Sequence, residues 1–203
     1  MFLQNNKNKN KKFVKMFRIN CVVTISKRLQ HTFINSKQLL LTKYSNEIDE
    51  ALELKTKDIN GPNDGQLLVK LIAAPINPAD LNIIQGKYGV LPKYLPSPLG
   101  NEGVFEVSEV GNKDSLFKKG DWVLPHKLGF GTWRSHVVES EANFIKIPNN
   151  LDKIACATLG VNPITAYRMI QDFVKLKPGD TVIQNGANSG VGQAVIQLGK
   201  QLI

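Results

Sequence analysis

The middle of the chain is a series of short apolar stretches separated by turn-forming residues. The stretch LLVKLIAAPIN at 67–77 is rich in aliphatic residues and ends at an Asn-Pro step, which predicts a β-strand. Sequence rich in Pro and Gly follows it, with one predicted helical turn at 79–84. Further short strands are predicted at 103–110, 121–125, 131–138 and 143–148. Many short strands with little helix are typical of a small β-barrel or sandwich.

From about residue 150 the apolar positions recur at helical spacing. Residues 151–176 show this spacing, and Asn162 followed by Pro163 predicts a helix with Asn162 as its N-cap. TVIQ at 181–184 predicts a buried strand, and 191–201 a further helix. Such a strand-turn-helix unit opens a doubly wound nucleotide-binding domain, and the sequence contains only this first unit.

The net charge is unevenly distributed along the chain. It is +9 overall, but residues 1–46 contain ten Lys or Arg and no acidic residue, whereas the remainder contains 16 basic and 17 acidic residues. A nucleic-acid-binding domain carries its positive charge on the folded body. Here the body is nearly neutral, which argues against a nucleic-acid partner.

We interpret residues 1–42 as a basic mitochondrial transit peptide, disordered or helical. The segment lacks acidic residues and has no continuous apolar core of the kind found in secretory signals. The sequence from Met16 onward suits a basic amphipathic helix, so Met16 is a second candidate start. A basic tail without a targeting role is the alternative.

The cysteine content and hydropathy indicate a reducing compartment and no membrane span. Cys21 lies in the leader and Cys156 in a distant apolar segment, so no pair is available to cross-link the domain. No apolar run approaches the roughly 18–20 residues that span a bilayer.

A glycine-containing turn lies at 186–192, between the last predicted strand and the last predicted helix. With the preceding Asn185 its sequence is NGANSGVG. Glycines let backbone N–H groups approach a pyrophosphate, and the following helix N-terminus is partially positive. The strict G-x-G-x-x-G pattern is not met, because Ala187 and Ser189 occupy its first two glycine positions. The flanking strand and helix favour dinucleotide binding over a plain turn.

Several blocks resemble known proteins. KPGDTVIQNGANSGVGQAVIQ, GNEGVFEVSEVG and KKGDWV resemble the medium-chain dehydrogenase/reductase superfamily. More narrowly, APINPADLNIIQGKYG, PLGNEG, GTWR and LGVNPITAYRMIQDF are similar to mitochondrial 2-enoyl thioester reductases (trans-2-enoyl-CoA reductases). The similarity covers about 66–203 and implies α/β plus β architecture: a GroES-like β-barrel catalytic domain followed by a Rossmann domain.

The resemblance implies a domain organisation in which the second domain is incomplete. Residues 43–160 correspond to the catalytic domain, and 161–203 to a linking helix and the first strand-turn-helix of a C-terminally truncated Rossmann domain. The apolar face formed by Val191, Ala194, Val195 and Leu198 is therefore expected to be exposed. The family is homodimeric, but its dimer contact lies largely in the Rossmann domain, so the resemblance leaves the oligomeric state of this chain open.

The sequence does not favour a zinc enzyme. Zinc-dependent members of the superfamily have a Cys soon after the first strand and a His in a Gly-His-Glu block. This chain has NPAD at 77–80 and GNEG at 100–103, and no Cys cluster for a structural zinc. His31, His126 and His136 are isolated in sequence. An alcohol dehydrogenase uses zinc to polarise its substrate, which argues against alcohol oxidation.

Tyr88 is the candidate catalytic residue. A metal-free reductase acting on a C=C bond needs a proton donor as well as a hydride donor, and a positioned phenol can serve. The resemblance places the family's proton donor at Tyr88 in GKYG; the structural alternative is an aromatic that packs the loop onto the barrel.

Tyr94 lacks the matching motif. Trp133 and Arg134 are candidates to line the cleft, although a buried structural Trp is commoner.

The resemblance implies a set of cofactor-binding residues. The family's Asn at the position of Asn162 contacts the nicotinamide cofactor, and Asn188, Ser189, Gly190 and Val191 match its phosphate-contact segment. NADPH as the cofactor comes from the family alone, since the residues that would read the 2′-phosphate are not in this sequence.

The combined interpretation is an NADPH-dependent reductase of trans-2-enoyl thioesters, carried on CoA or acyl carrier protein, in mitochondrial fatty acid synthesis. Two alternatives stay open: a quinone oxidoreductase of the same superfamily, and a truncated product that catalyses no reaction.

Overall fold

The computed structural model describes residues 33–127 and 129–202. Strands β1 (Ile34–Leu41) and β2 (Leu52–Ile59) form an antiparallel pair joined through the short helix α1 (Ile48–Ala51). The two-residue strand β4 (Ser97–Pro98) adds to the other edge of β1 and completes a three-stranded sheet.

The assignment of 1–42 to a disordered or helical leader is wrong for Ile34–Leu41, which is the central strand of this sheet. The strand forms because Leu41 is fully buried against Ala51, Ile84 and Leu99. The prediction failed because the residues flanking this strand are basic, like the rest of the leader. The strand is formed because its apolar side chains are buried. Residues 1–32, with the proposed transit peptide, Met16 and His31, lie outside the described residues.

The second sheet has five antiparallel strands in the order β7-β3-β5-β6-β8. The strands are β3 (Gln66–Ala73), β5 (Val104–Val110), β6 (Trp122–Pro125), β7 (His136–Ser140) and β8 (Phe144–Ile147). A 3₁₀ turn at Glu141–Asn143 joins the last two. These strands confirm the predicted series. The largest differences are that β3 ends at Ala73 and not at 77, and that β7 spans His136–Ser140 and not 131–138. The core of this sheet is Leu67, Val69, Phe105, Val107, Val123, Phe130, Val137 and Phe144.

Helix α2 (Pro78–Ile84) follows the Asn-Pro step and confirms the predicted helical turn. Pro78 is at its first position, and the Asp80 Oδ2 atom accepts a hydrogen bond from the Asn77 N–H at 2.8 Å. Ile83 and Ile84 bury the inner face of the helix. This anchoring fixes where the loop after α2 leaves the fold.

Three helices follow the strands: α3 (Lys153–Ala157), α4 (Asn162–Gln171) and α5 (Gly190–Leu202). The expected exposure of the apolar face of α5 is wrong, because α4 covers it. Val195 is buried against Ala166 and Ile170, and Val191, Ala194 and Leu198 pack at the edge of the same cluster. The boundary between domains near residue 160 stays a prediction. None of the described helices is long and apolar enough to cross a membrane.

The predicted strand at 181–184 is wrong: the segment has no strand structure. Ile183 is 94% exposed, and no strand among the described residues lies beside it. A strand is defined by hydrogen bonds to a neighbouring strand, so apolar composition alone does not produce one.

Candidate nucleotide turn and Tyr88 cleft

The turn at 186–192 is held in shape by its own hydrogen bonds. Gly186 has φ of 61°, and its carbonyl accepts from the Ser189 N–H at 2.9 Å. The Ser189 hydroxyl in turn accepts from the Gly192 N–H at 3.1 Å, which makes Ser189 a capping residue of α5. A side-chain bond from Gln193 Nε2 to the Asn188 carbonyl, 2.8 Å, adds a further tie.

Gly192 allows the turn to lie directly on the first turn of α5. A β-carbon there would be 2.4 Å from the Gly186 carbonyl oxygen and 2.7 Å from the Ala187 Cα, both backbone atoms. No larger residue fits without moving the turn. The close packing that the third glycine of a dinucleotide turn permits is therefore present, although the first two positions depart from the pattern.

Asn162 does not cap α4, contrary to the sequence prediction. The carbonyl of Val161 already accepts the first helical hydrogen bond, from the Thr165 N–H at 3.0 Å, so Val161 is the N-cap and Asn162 lies inside the first turn. The Asn162 side chain lies against the glycine turn instead. Its Nδ2 atom is 2.8 Å from the position that a β-carbon of Gly190 would occupy. The fold thus brings Asn162 to the candidate phosphate segment.

Tyr88 lies in a cleft of about 390 Å³ formed by the loop after α2 and two loops of the strand domain. The Tyr88 side chain is 37% exposed, whereas Tyr94 is 81% exposed and does not line the cleft. The other lining residues are Ile83, Val90, Leu91, Pro92, Lys93, Ser97, Pro98, Leu99, Gly100, Asn101, Lys127 and Gly129. Most of the lining residues are thus apolar or glycine, and the polar ones besides Tyr88 are Lys93, Ser97, Asn101 and Lys127.

The Tyr88 loop is fixed at its base. Gly86 has φ of 69°, and its N–H donates to the Ile83 carbonyl at 3.0 Å. The Lys87 N–H donates to the Asn82 carbonyl at 2.8 Å, and its Nζ atom to Asn46 Oδ1 at 3.1 Å. The ammonium of Lys87 is therefore directed away from the residues of the cleft.

Gly100 forms one wall of the cleft through its backbone. Its carbonyl accepts from the N–H groups of Gly131 and Thr132, each at 3.0 Å. Its φ is 97°, and a β-carbon would be 2.3 Å from the Thr132 hydroxyl and 2.6 Å from Trp133 Cδ1. Both the conformation and the space require glycine.

The two motifs that hold metal ligands in zinc-dependent relatives meet in a buried polar network that the sequence analysis missed. Asn77 Nδ2 donates to Glu102 Oε1 at 2.8 Å, and Asn101 Nδ2 donates to Asp80 Oδ1 at 2.8 Å. Burial raises the pKa of Asp80 and of Glu102, and the hydrogen bonds that each carboxylate accepts partly offset this effect. The sequence showed both motifs but carried no signal that their carboxylates are buried together.

Glu102 also contacts the start of α4. Its Oε2 atom accepts from the Val161 N–H at 2.9 Å, and its main-chain carbonyl accepts from the Thr132 hydroxyl at 2.8 Å. The carboxylate thus joins the strand domain to the residue preceding Asn162.

The remaining candidates have structural environments. Trp133 Nε1 donates to the Pro75 carbonyl at 3.2 Å, and Arg134 donates to the carbonyls of Gly131 and Phe130. Neither Trp133 nor Arg134 lines the Tyr88 cleft. His126 contacts the Ala142 carbonyl, and His136 contacts Ser135. In the ranges 33–127 and 129–202, no three His, Cys, Asp or Glu side chains are grouped to hold a metal ion.

Comparison with known proteins places this geometry in a family. Residues 63–149 match the alcohol dehydrogenase GroES-like domain. The mouse enoyl-[acyl-carrier-protein] reductase, mitochondrial, is 52% identical over 161 residues, which are 78% of this chain and 43% of the mouse protein. The chain thus spans less than half the length of this relative.

Solved structures of related enzymes superpose on this chain. The Etr1p/NADP/crotonyl-CoA complex superposes with a TM-score of 0.77 at 38% identity over 83% of this chain and 52% of that chain; Etr1p is a 2-enoyl thioester reductase of Candida tropicalis. A putative NADPH:quinone reductase from Bacillus thuringiensis gives 0.72 at 33% identity, over 83% of this chain and 50% of that chain.

A GroES-like domain followed by a glycine turn on a helix defines a protein of the medium-chain dehydrogenase/reductase class. Within that class, the chain belongs to the mitochondrial enoyl thioester reductase family.

Proposed function

We propose that this chain carries the catalytic domain and nucleotide turn of an NADPH-dependent enoyl thioester reductase. It would convert trans-2-enoyl thioesters of CoA or acyl carrier protein to saturated acyl thioesters in mitochondrial fatty acid synthesis, in the matrix. The observation that carries the proposal is Tyr88, a half-exposed phenol in an apolar cleft. The relatives' names and the Candida complex with NADP and crotonyl-CoA support the substrate and cofactor.

The reaction assigns distinct roles to cofactor and protein. NADPH, when bound, supplies a hydride to the β-carbon of the enoyl thioester and leaves as NADP⁺. The electron pair of the C=C bond moves towards the thioester carbonyl, and the α-carbon then takes a proton. The Tyr88 hydroxyl either donates this proton or hydrogen-bonds the developing negative charge.

The turn residues suit the diphosphate of such a cofactor. The first N–H groups of a helix have no intrahelical acceptor, so the start of α5 at Gly190 and Val191 offers donors and partial positive charge. Gly190 has no β-carbon to keep a phosphate away, and the Asn162 amide lies beside it. We assign Asn162, Asn188, Ser189, Gly190 and Val191 to cofactor binding.

The cleft suits an acyl thioester with an anionic carrier. Val90, Leu91 and Pro92 give an apolar surface for the acyl chain. Lys93 and Lys127, both exposed, give positive charge on the same cleft. The phosphates of CoA or of the phosphopantetheine arm are the matching groups. A quinone lacks an anionic carrier, so these lysines favour the thioester over the quinone alternative.

Turnover assays with matched tyrosine variants test the proposal. The purified chain is assayed with NADPH and crotonyl-CoA, and separately with quinones. Tyr88→Phe should lower kcat on crotonyl-CoA by about 10²-fold or more, as loss of a general acid does. Tyr94→Phe, which removes a hydroxyl outside the cleft, should change kcat less than about twofold.

Other results would overturn the proposal. Turnover of quinones with none of crotonyl-CoA would establish the quinone oxidoreductase. A folded chain that neither binds NADPH nor turns over either substrate would establish the non-catalytic alternative. Equal rates for Tyr88→Phe and Tyr94→Phe would remove Tyr88 from the mechanism.

A further inference from the structure

Glu102 is a buried acidic side chain, with 4% of its surface exposed. It contacts both the strand domain and the start of α4. One carboxylate oxygen accepts from the Asn77 side chain at 2.8 Å, and the other accepts from the Val161 N–H at 2.9 Å. Both oxygens are thus engaged, one by the strand domain and one by the start of α4. Burying a carboxylate costs free energy unless its oxygens accept hydrogen bonds, so the position of Glu102 depends on both of these donors.

The contact with Val161 continues to the glycine turn. Val161 is the N-cap of α4, and its N–H is fixed by the carboxylate. The next residue, Asn162, places its amide against Gly190. Moving the start of α4 by the length of one bond would move Asn162 from this position.

We propose that Glu102 is a positioning residue for the cofactor site: through Val161 it holds the Asn162 amide against Gly190 and thereby sets the affinity for NADPH. The inference rests on the proposed function for the identity of the ligand. The required property is the reach of the side chain, which spans two donors, rather than its charge.

Two substitutions separate reach from charge. Glu102→Asp keeps the charge but shortens the side chain by one C–C bond, so it cannot span Asn77 and Val161 together. Glu102→Gln keeps the reach; its carbonyl oxygen can accept from Val161, and the Asn77 amide can turn over to accept from its NH₂ group. We expect Glu102→Asp to weaken NADPH binding about tenfold and Glu102→Gln to stay within about twofold.

The control is Asp80→Asn, which alters the same buried network without reaching α4. It should leave NADPH affinity within about twofold even where it lowers thermal stability. A double variant tests the route through Asn162. If Glu102 acts through Asn162, then Glu102→Asp combined with Asn162→Ala should bind NADPH as weakly as Asn162→Ala alone, about tenfold below the unaltered chain, and not about a hundredfold.

Hydrogen exchange of the ligand-free chain gives a readout that does not depend on NADPH. The Val161 amide should be protected in the unaltered chain, exposed to exchange in Glu102→Asp and protected again in Glu102→Gln. Fast exchange at Val161 in the unaltered chain overturns the proposal even if Glu102→Asp does not fold. Unchanged NADPH affinity in Glu102→Asp, or additive losses in the double variant, also overturns it. If the unaltered chain binds no NADPH while the exchange pattern holds, the cofactor assignment fails and the positioning contact stands.

Discussion

The side-chain amide of Asn162 lies in the space that a β-carbon on Gly190 would need, with Nδ2 2.8 Å and Cγ 3.1 Å from that position. Gly190 begins α5, so its backbone conformation is one that any residue adopts. The requirement for glycine here comes from the close approach of another helix. Two residues assigned to cofactor binding by resemblance are therefore in direct contact.

Gly190→Ala should weaken NADPH binding. The added methyl group would push the Asn162 amide away by several tenths of an ångström, because the contact is closer than a van der Waals pair allows. We expect a loss of about tenfold, of the size of one hydrogen bond to a charged group, measured by quenching of NADPH fluorescence. Helix propensity alone would make alanine stabilising at this position.

Gly61→Ala serves as the matched control. A β-carbon at Gly61 meets only the Glu109 carboxylate, at 3.9 Å, an ordinary contact. Its NADPH affinity should equal that of the unaltered chain. Equal affinity in Gly190→Ala would show that the Asn162 amide does not contribute to binding in this position.

The two lysines of the Tyr88 cleft should matter only for substrates with phosphates. Replacing Lys93 and Lys127 together by Gln removes two positive charges and keeps most of the side-chain length. We expect KM for crotonyl-CoA to rise about tenfold, with the effect reduced by added salt. KM for crotonyl-N-acetylcysteamine, which has the same acyl thioester and no phosphate, should not change.

Lys87→Gln is the control for this pair, since Lys87 is in the same loop as Lys93 but its Nζ atom donates to Asn46. It should leave both KM values unaltered. A similar rise in KM for both thioesters in the double variant would mean that the lysines shape the cleft and do not bind the carrier.

Sequence patterns predicted the parts of the fold that depend on local burial. The strands at Val104–Val110 and Trp122–Pro125 and the helix at Pro78–Ile84 follow from runs of apolar residues and from a Pro at a helix start. The strand Leu52–Ile59 could not be predicted in this way, because most residues of its sequence LELKTKDI are exposed. The strand forms by pairing with β1.

Long-range contacts limited the prediction of the site. Motif matches located Tyr88 and the glycine turn, since each lies within a motif whose residues are consecutive in sequence. The contact of Glu102 with Val161 joins residues 59 positions apart, and the sequence carries no sign of it. The N-cap role of Asn162 failed for a related reason: local preference for Asn before Pro was outweighed by the packing of its side chain on α5.

Asp121→Asn should destabilise the strand domain by about 1–3 kcal/mol. Burial raises the pKa of Asp121, but the hydrogen bonds from Lys146 and from the Lys118 N–H outweigh it and hold the pKa below its usual value. A carboxylate with a lowered pKa contributes stability that is present above the unfolded-state pKa and is lost as pH falls through the folded-state value. The loss in Asp121→Asn should therefore be largest near neutral pH and shrink in acid, as measured by urea unfolding.

Glu50→Gln provides the comparison for Asp121→Asn. Its ion pair with Lys43 is exposed on both sides, at 57% and 59%, so its loss should cost less than about 1 kcal/mol. Equal losses in the two variants would show that burial of Asp121 does not strengthen its contacts.

His136 should make the stability of the fold fall as the solution is acidified from neutral pH. Burial lowers the pKa of His136, and the positive charge of Lys70, opposite it on β3, lowers it further. The unfolded chain then binds the proton more readily than the folded chain. The stabilising contribution is present above the unfolded-state pKa of about 6.5 and is lost as pH falls through the folded-state value.

Urea unfolding between pH 7.5 and 5 tests this. The free energy of unfolding should change less steeply with pH for His136→Gln than for the unaltered chain. Lys70→Gln should also reduce the slope, because it removes one of the two causes. Parallel slopes for all three proteins would show that His136 is solvated like an unfolded histidine and that another group sets the pH dependence.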